Sequence, residues 1–423
     1  MYDWANSAFV TIASTTISYY FIRVVVGDET FYGIEGGLLW PLVLAICAFI
    51  SFLFAPILGA IADFSNAKKK FLMSFCYTGS TFGLLLFFCG SGDVWKTIIF
   101  FGIAQICYVS ANVFYDAFLP HIASEDKLDR VSAKGFAYGY LGGGLQLAIS
   151  MGVINYWESL GMPSVEYAQR VVITLASLWW GGFSLFTLFK LKETDVREEQ
   201  PQSHKQKPSW LGYIKIGVHR TVETTKKIKR FKQLFIFLIS FLIYNDGIQT
   251  VILMATPFAL LELGIGLEFI MITFLTIQFV AIFGALLFGK LAETISTKKA
   301  LMISLVMWSV IVTYAYFITT KTQFFILGVL IGLILGGSQS LSRSLFGAMI
   351  PVKASAEFYG FYSVFSKFSS IWGLVVFFIV GSFSDNLRIP IISLMIFFVA
   401  GLILLSFVNV EEAKKARETE LFS

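Results

Sequence analysis

Gly59-Ala-Ile-Ala-Asp63-Phe-Ser-Asn-Ala-Lys68-Lys69 closes one long apolar run, and Gly289-Lys-Leu-Ala-Glu293-Thr-Ile-Ser-Thr-Lys298-Lys299 closes another. The glycine, an alanine, the acid and the lysine pair recur at a constant offset of 230 positions. Two fainter echoes follow: Leu119-Pro120 returns as Ile350-Pro351, and Tyr138-Gly139-Tyr140 returns as Tyr359-Gly360-Phe361. An acid and a lysine pair held in register with a glycine point to an internal repeat, with the chain built as two related halves in parallel.

The composition says what the halves are made of. Of the 423 residues 57% are hydrophobic and 14% charged, against about 25% charged in soluble domains. The mean hydropathy is +0.76. A soluble domain of this length could not hide that much apolar surface, so the chain reads as an integral membrane protein. Disulfide scaffolds, disordered chains and nucleic-acid binders are excluded. At about 20 apolar residues per α-helical span, twelve spans are expected: roughly 2–26, 38–62, 70–90, 96–119, 134–156, 170–190, 233–260, 268–290, 299–319, 322–349, 358–383 and 388–410. The expected organisation is a six-helix half over 1–190, a linker over 191–232, a second six-helix half over 233–410 and a tail over 411–423. Within the linker, Trp210, Ile214, Val218 and Val222 stand at helical spacing among lysines, the pattern of an amphipathic helix on a membrane surface.

Lys and Arg set the orientation. Asp63–Lys70 holds three lysines, the linker and its edges hold twelve basic residues from Lys190 to Lys232, and the tail carries Lys414, Lys415 and Arg417. The segment Gly27–Gly37 is acidic, and Leu261–Glu268 has no Lys or Arg. The positive-inside rule then puts both termini and the linker in the cytoplasm, in a cell (inner) membrane, or in a vacuolar membrane for a fungal chain. No signal peptide is expected. Cys47, Cys76, Cys89 and Cys107 each sit in apolar runs and read as small buried hydrophobes. His121, His204 and His219 have no second ligand close by, so no metal is expected. No phosphate-loop motif occurs, which leaves ATP-driven transport unsupported.

Ionisable groups inside a span are costly and face a cavity or a partner. In span one, Asp3, Asn6, Ser7, Thr11 and Ser14 share a helical face; in span four, Gln105, Tyr108, Asn112 and Asp116 do. Span seven carries Asn245, Asp246, Gln249 and Thr250, and span ten carries Gln339 and Arg343. Spans one, four, seven and ten are those expected to line the cavity of a two-half transporter. Asp246, about thirteen residues in from the expected cytoplasmic end, is the hardest to explain as structure. Arg343 could hold a substrate carboxylate or pair with Asp116 or Glu357. Lys367 in span eleven is a binding candidate or a salt-bridge partner, and Tyr2, Trp4, Tyr244 and Tyr362 would shape the pocket. Asp63 can cap a helix N-terminus or pair with a cation. With Lys68, Arg130, Lys134, Asp116, Glu293, Lys298 and Glu357 it forms the expected gating set.

The loop after span two resembles the cytoplasmic signature of the major facilitator superfamily. Tyr2-Asp-Trp-Ala-Asn-Ser-Ala-Phe9, Tyr244-Asn-Asp-Gly-Ile-Gln-Thr250, Gly336-Gly-Ser-Gln-Ser-Leu-Ser-Arg343-Ser and Glu357-Phe-Tyr-Gly-Phe-Tyr362 resemble the vacuole-effluxer-like branch of that superfamily, as do residues 134–144. The resemblance implies an all-α membrane protein of twelve helices in two pseudo-symmetric halves, acting as a secondary transporter. Its fungal members are associated with export of amino acids from the vacuole. The glycine-proline signature of drug antiporters in span five is not matched here.

The expected function is alternating-access movement of a small polar solute such as an amino acid, as an exporter, by a monomer in the lipid bilayer. No cofactor, no nucleic acid and no enzymatic chemistry are expected, and proton coupling stays open. The competing readings are an exporter of lipophilic or amphiphilic compounds and a non-transporting receptor or assembly protein on the same fold.

Overall fold

With no water in the bilayer core, every backbone N–H and C=O must be paired inside the chain, and an all-helical protein is the outcome. The computed structural model describes residues 1–27, 29–193, 212, 215–219, 231–265, 267–368, 372–381 and 388–419. The main helices are α1 (Tyr2–Ile12), α2 (Gly36–Ser65), α3 (Lys68–Leu85), α4 (Val94–Ala117), α5 (Leu128–Asn155), α6 (Val165–Lys190), α7 (Lys232–Pro257), α8 (Leu267–Ile295), α9 (Thr297–Phe317), α10 (Lys321–Met349), α11 (Ser355–Phe368), α12 (Trp372–Gly381), α13 (Met395–Ser406) and α14 (Val410–Thr419). After Ile12 the first helix continues to Val26 through two π-helical turns, Ala13–Ile17 and Phe21–Val26. A two-residue hairpin, Thr30–Phe31 on Ile34–Glu35, links it to α2. Its turn residues, Tyr32 and Gly33, both have positive φ, as a tight hairpin requires.

Among the described residues ten helical segments are long and apolar enough to cross a membrane. The other two expected spans fall on α5 and on α11 with α12. In α5 the Tyr-Gly-Tyr and Gly-Gly-Gly residues dilute the apolar content of a continuous helix. Large apolar side chains such as Phe189, Phe283, Phe317 and Phe407 are exposed, as lipid-facing positions are. Helix starts are fixed locally. Ser164 accepts the Tyr167 N–H before α6, Ser296 accepts the Lys299 N–H before α9, and Thr320 with Gln323 forms a capping box before α10.

The chain divides into two compact units. The first holds residues 1–55, 64–115 and 138–197. Here Gly142 and Gly143 of α5 give way to the Trp4 carbonyl and the Thr11 hydroxyl of α1, where a Cβ would collide. Trp180 of α6 is fully buried and donates to the Tyr2 hydroxyl at 3.3 Å. Glu193, just past α6, accepts the Lys69 N–H at the start of α3. The second unit holds residues 56–63, 116–137 and 198–423. Gly328, Gly332 and Gly336 line one face of α10 against Thr273, Val280 and Ala281 of α8, the small-residue packing of membrane helices. Trp308 of α9 stacks on Phe398 of α13 at 5.5 Å. Of the expected linker helix, residues 215–219 are helical, with Gly217 buried against Ile61; Trp210, Ile214 and Val222 lie outside the described residues.

Candidate functional site

The repeated glycine-acid motif reaches its structural meaning inside the second unit. That unit contains the ends of α2, α4 and α5, which belong to the first sequence repeat, packed on helices of the second repeat. A Cβ on Gly59 would lie 2.9 Å from Glu357 Cα and overlap the Ala356 backbone; a Cβ on Gly289 would lie 2.5 Å from Ala133 Cβ. So α2 meets α11, and α8 meets α5, each through the glycine of its own copy of the motif. The sequence repeat is therefore also a repeat of contacts.

Three carboxylates hold this clasp. Asp63 Oδ2 accepts the Glu357 N–H at 2.8 Å in the first turn of α11, where a helix N-terminus favours an anion. Asp116 Oδ1 accepts from Arg343 at 3.1 Å, with Arg343 side-chain exposure of 7% and Asp116 of 22%. The same guanidinium donates to Ser132 Oγ and the Ser132 carbonyl, both at 3.0 Å, and lies 4.3 Å above the Phe136 ring. Asp129, in the first turn of α5, accepts from Ser344 of α10 and Thr297 of α9. Burial pushes its carboxyl above the usual carboxylate range, and those two hydroxyls offset part of the rise. The Ser132 hydroxyl donates to the Ser340 carbonyl at 2.8 Å, and Tyr359 donates to the Arg343 carbonyl.

Of the expected gating set, Asp63, Asp116 and Glu357 come together in this clasp. The structure brings Arg343 there too, engaged with Asp116, Ser132 and Phe136. Arg130, Lys134 and Glu293 are exposed. Glu293, the counterpart of Asp63, does not repeat its contact; Asp129 and Ser344 hold the second copy. Lys298 donates to the Ser406 and Val408 carbonyls at the end of α13, and Lys68 is buried at the start of α3. Asp129, Ser132, Thr297 and Ser344 were not singled out from sequence. The signal for Asp129 was its place in the first turn of α5, matching Glu357 in the first turn of α11.

The polar faces of the spans divide between the two units. In the first, Tyr115 donates to Asp3 Oδ2 at 2.7 Å, and Asn6 pairs with Asn112. Tyr2 is fully buried, and Trp4 stacks on Trp179 at 5.4 Å. In the second, Asn245, Asp246 and Thr250 are buried on α7 while Gln249 and Gln339 are half-buried. Asp246 Oδ1 accepts the Gly373 N–H of α12 at 2.8 Å. Tyr244 shares a hydrogen bond with Ser342 at 2.6 Å, and Tyr362 stacks on Phe241 at 4.4 Å. The Lys367 side chain lies outside the described residues. Among the described residues no cluster of His, Cys, Asp or Glu has metal-binding geometry.

Comparison with known proteins adds the following. A family model described as vacuole effluxer Atg22 like matches residues 39–418. The uncharacterized MFS-type transporter YxiO of Bacillus subtilis (strain 168) is 33% identical over 97% of this chain and 94% of its own. Autophagy-related protein 22-1 of Aspergillus fumigatus is 25% identical over 68% of this chain and 49% of that protein. The chain thus spans about half the length of this fungal relative. Among solved structures, the major facilitator superfamily proton:xylose symporter XylE matches with a TM-score of 0.70 at 12% identity, covering 98% of this chain and 96% of that one. The human organic anion transporter MFSD10 matches with a TM-score of 0.63 at 9% identity, covering 96% and 98%. These likenesses establish the major facilitator fold, with its twelve helices in two halves.

Proposed function

The chain belongs to the vacuole effluxer Atg22-like family and is a secondary transporter of the major facilitator type, and from that premise we propose that it exports a small polar solute of the amino-acid class by alternating access. The observation that carries the reading is the clasp. It joins segments of one repeat to helices of the other through the Asp116–Arg343 ion pair, the Glu357 N–H donated to Asp63 and the Ser344 hydroxyl donated to Asp129. Such contacts are bistable. Formed, they pair the Asp116 and Arg343 charges and the Glu357 N–H; broken, each of these groups must be rehydrated, so intermediate separations are disfavoured.

In this reading the clasp is the cytoplasmic gate, both termini are cytoplasmic, and the state described has that gate shut. The halves, 1–190 and 233–410, are the moving bodies, and the protein works as a monomer. Polar groups on spans one and four, Asp3, Asn6 and Asn112, and on span seven, Asn245, Asp246 and Gln249, are the candidates for binding solute, each set within its own unit, and their chemistry suits a zwitterion better than a hydrocarbon. Arg343 acts in the gate instead of holding substrate. The effluxer in the family description supports the direction of export, and the proton:xylose symporter shows the same fold working with proton coupling.

The test is counterflow in proteoliposomes loaded with unlabelled amino acids and exposed to labelled ones. Counterflow needs no assumption about the driving ion. The expected result is accumulation of at least one amino acid, lost in Asp246→Asn. No accumulation of any of them, with accumulation of amphiphiles instead, would replace the substrate class.

A further inference from the structure

The end of the first unit opposite the Lys69–Glu193 contact carries a charge that the fold does not balance. Arg170 stands in the second turn of α6, about 7–8 Å along the helix axis from Val165. Its guanidinium carbon lies 5.8 Å from the centre of the Phe87 ring and 5.6 Å from that of Tyr167, and the two rings lie 5.6 Å apart. Phe87 belongs to the 3₁₀ turn Leu86–Phe88 that continues α3. Phe88, Trp95 and Tyr156, at the ends of α3, α4 and α5 on this side, are exposed, as aromatic residues at a membrane–water boundary are. They place Arg170 at the depth of the lipid headgroups.

Aromatic rings orient a guanidinium but do not neutralise it. Among the described residues the Arg170 guanidinium has no ion pair and no hydrogen bond, and its Nε is buried without an acceptor. An unbalanced charge at the edge of a bilayer is costly. The groups around it are committed elsewhere. Lys96 pairs with Asp93 at 3.5 Å and donates to the Phe88 carbonyl at 2.6 Å, and Asp93 also accepts the Gly90 N–H. Tyr20 donates to the Cys89 carbonyl. Glu166, one turn before Arg170 on the same face of α6, is the acid best placed to pair with it. Its carboxylate instead turns back to the helix start and accepts from the Ser164 hydroxyl. The Tyr167 hydroxyl has no acceptor among the described residues.

We propose that Arg170, Tyr167 and Glu166 form a headgroup site for a phospholipid that carries a protonated primary amine. The fork of Arg170 holds two oxygens of the phosphodiester, Tyr167 donates to the same phosphate, and Phe87 fixes the plane of the guanidinium. α6 runs inward from Val165, so Glu166 lies about 6 Å nearer to water than Arg170. That is the order of the charges in such a lipid, with the phosphate next to the glycerol and the ammonium beyond it. A carboxylate has lone pairs to spare after accepting from Ser164, and these accept from the ammonium. A free phosphate would answer Arg170 but leave Glu166 as a repelling neighbour, which favours the zwitterionic lipid. The site lies on span six, apart from the residues proposed to bind solute, and does not rest on the transport reading.

The experiment is native mass spectrometry of the full chain released from detergent micelles. The protein is titrated with phosphatidylethanolamine, phosphatidylcholine and phosphatidylglycerol of the same acyl chains, and in competition with inorganic phosphate. Wild type is expected to retain phosphatidylethanolamine at least about tenfold more tightly than Arg170→Met, which loses a hydrogen-bonded charge. It is also expected to prefer phosphatidylethanolamine to phosphatidylglycerol, a preference that Glu166→Gln removes. Gel filtration and thermal unfolding check that each variant folds. Equal retention by a folded Arg170→Met protein overturns the proposal. Phosphatidylcholine held as tightly as phosphatidylethanolamine overturns the assignment of the amine to Glu166. Displacement of the lipid by inorganic phosphate overturns the lipid in favour of a soluble anion. Should Arg170→Met fail to fold, Arg170→Lys keeps the charge without the fork, and unchanged retention there overturns the proposal. Loss of the lipid site leaves the transport reading intact, and failed counterflow leaves the lipid site intact.

Discussion

Asp116→Asn is the sharpest perturbation of the clasp. It keeps an acceptor for Arg343 but removes the charge that balances a guanidinium only 7% exposed. Removing one partner of a buried pair costs about 3–5 kcal/mol, and a hydrogen bond to a charged group contributes about 1.5–3 kcal/mol. Asp116 is partly exposed, and Ser132 and Phe136 still hold Arg343, so the lower range applies: about 2–3 kcal/mol against the shut state. At 1.4 kcal/mol per factor of ten, that raises the open-to-shut ratio about 30- to 150-fold. Ser340→Cys provides the reporter. Ser340 is fully buried, its carbonyl accepts from Ser132, and cysteine nearly matches serine in size. The four native cysteines are buried, so a membrane-impermeant maleimide should read the new thiol. When opening is fast relative to labelling, the rate follows the open population. Asp116→Asn should therefore speed alkylation by at least tenfold. A double Asp116→Leu, Arg343→Met variant should restore part of the slow rate, because replacing both charges costs less than orphaning one. Unchanged labelling in a folded Asp116→Asn protein would refute the assignment of this ion pair to the shut state.

Asp63→Asn should cut counterflow more than tenfold while Glu293→Gln stays within about twofold, since only Asp63 holds a helix N–H and such charge–dipole contacts contribute up to about 2 kcal/mol; equal effects would contradict the asymmetry. Gly59→Val should raise Ser340→Cys labelling and lower the unfolding temperature, because overpacking costs about 1–3 kcal/mol where a Cβ already meets the α11 backbone. The raised carboxyl of Asp129 gives the clasp a pH dependence of defined sign. Its contribution is fully present below the ordinary carboxylate value of about 4 and is lost as pH rises through the raised value. The ratio of labelling rates between wild type and Asp129→Asn, each measured with Ser340→Cys at the same pH, should show that trend; a flat ratio would refute it.

The sequence by itself determined the class of molecule. Composition and run length leave no option but spanning helices, because lipid offers no partner for an unpaired peptide group. The repeated glycine-acid-lysine motif made the two halves legible, since a close helix contact permits few substitutions and leaves the same letters in both copies. The motifs at residues 2–9 and 244–250 made the family legible. What the letters left open was which polar group meets which. Asp63 and Glu293 occupy matching places in the repeat, yet one holds a helix N-terminus and the other is exposed, with Asp129 and Ser344 taking its place. Arg343 was equally compatible with a substrate carboxylate, Asp116 or Glu357, and its contact with Asp116 emerged only from the packing of α4 and α10. Gly373 carried no signal at all, because its meaning comes from Asp246 and Thr250 more than a hundred residues away. Hydrophobicity and period are local properties and can be read along one chain. Pairing of polar groups is settled by which helix faces come together, and that is a property of the tertiary structure alone.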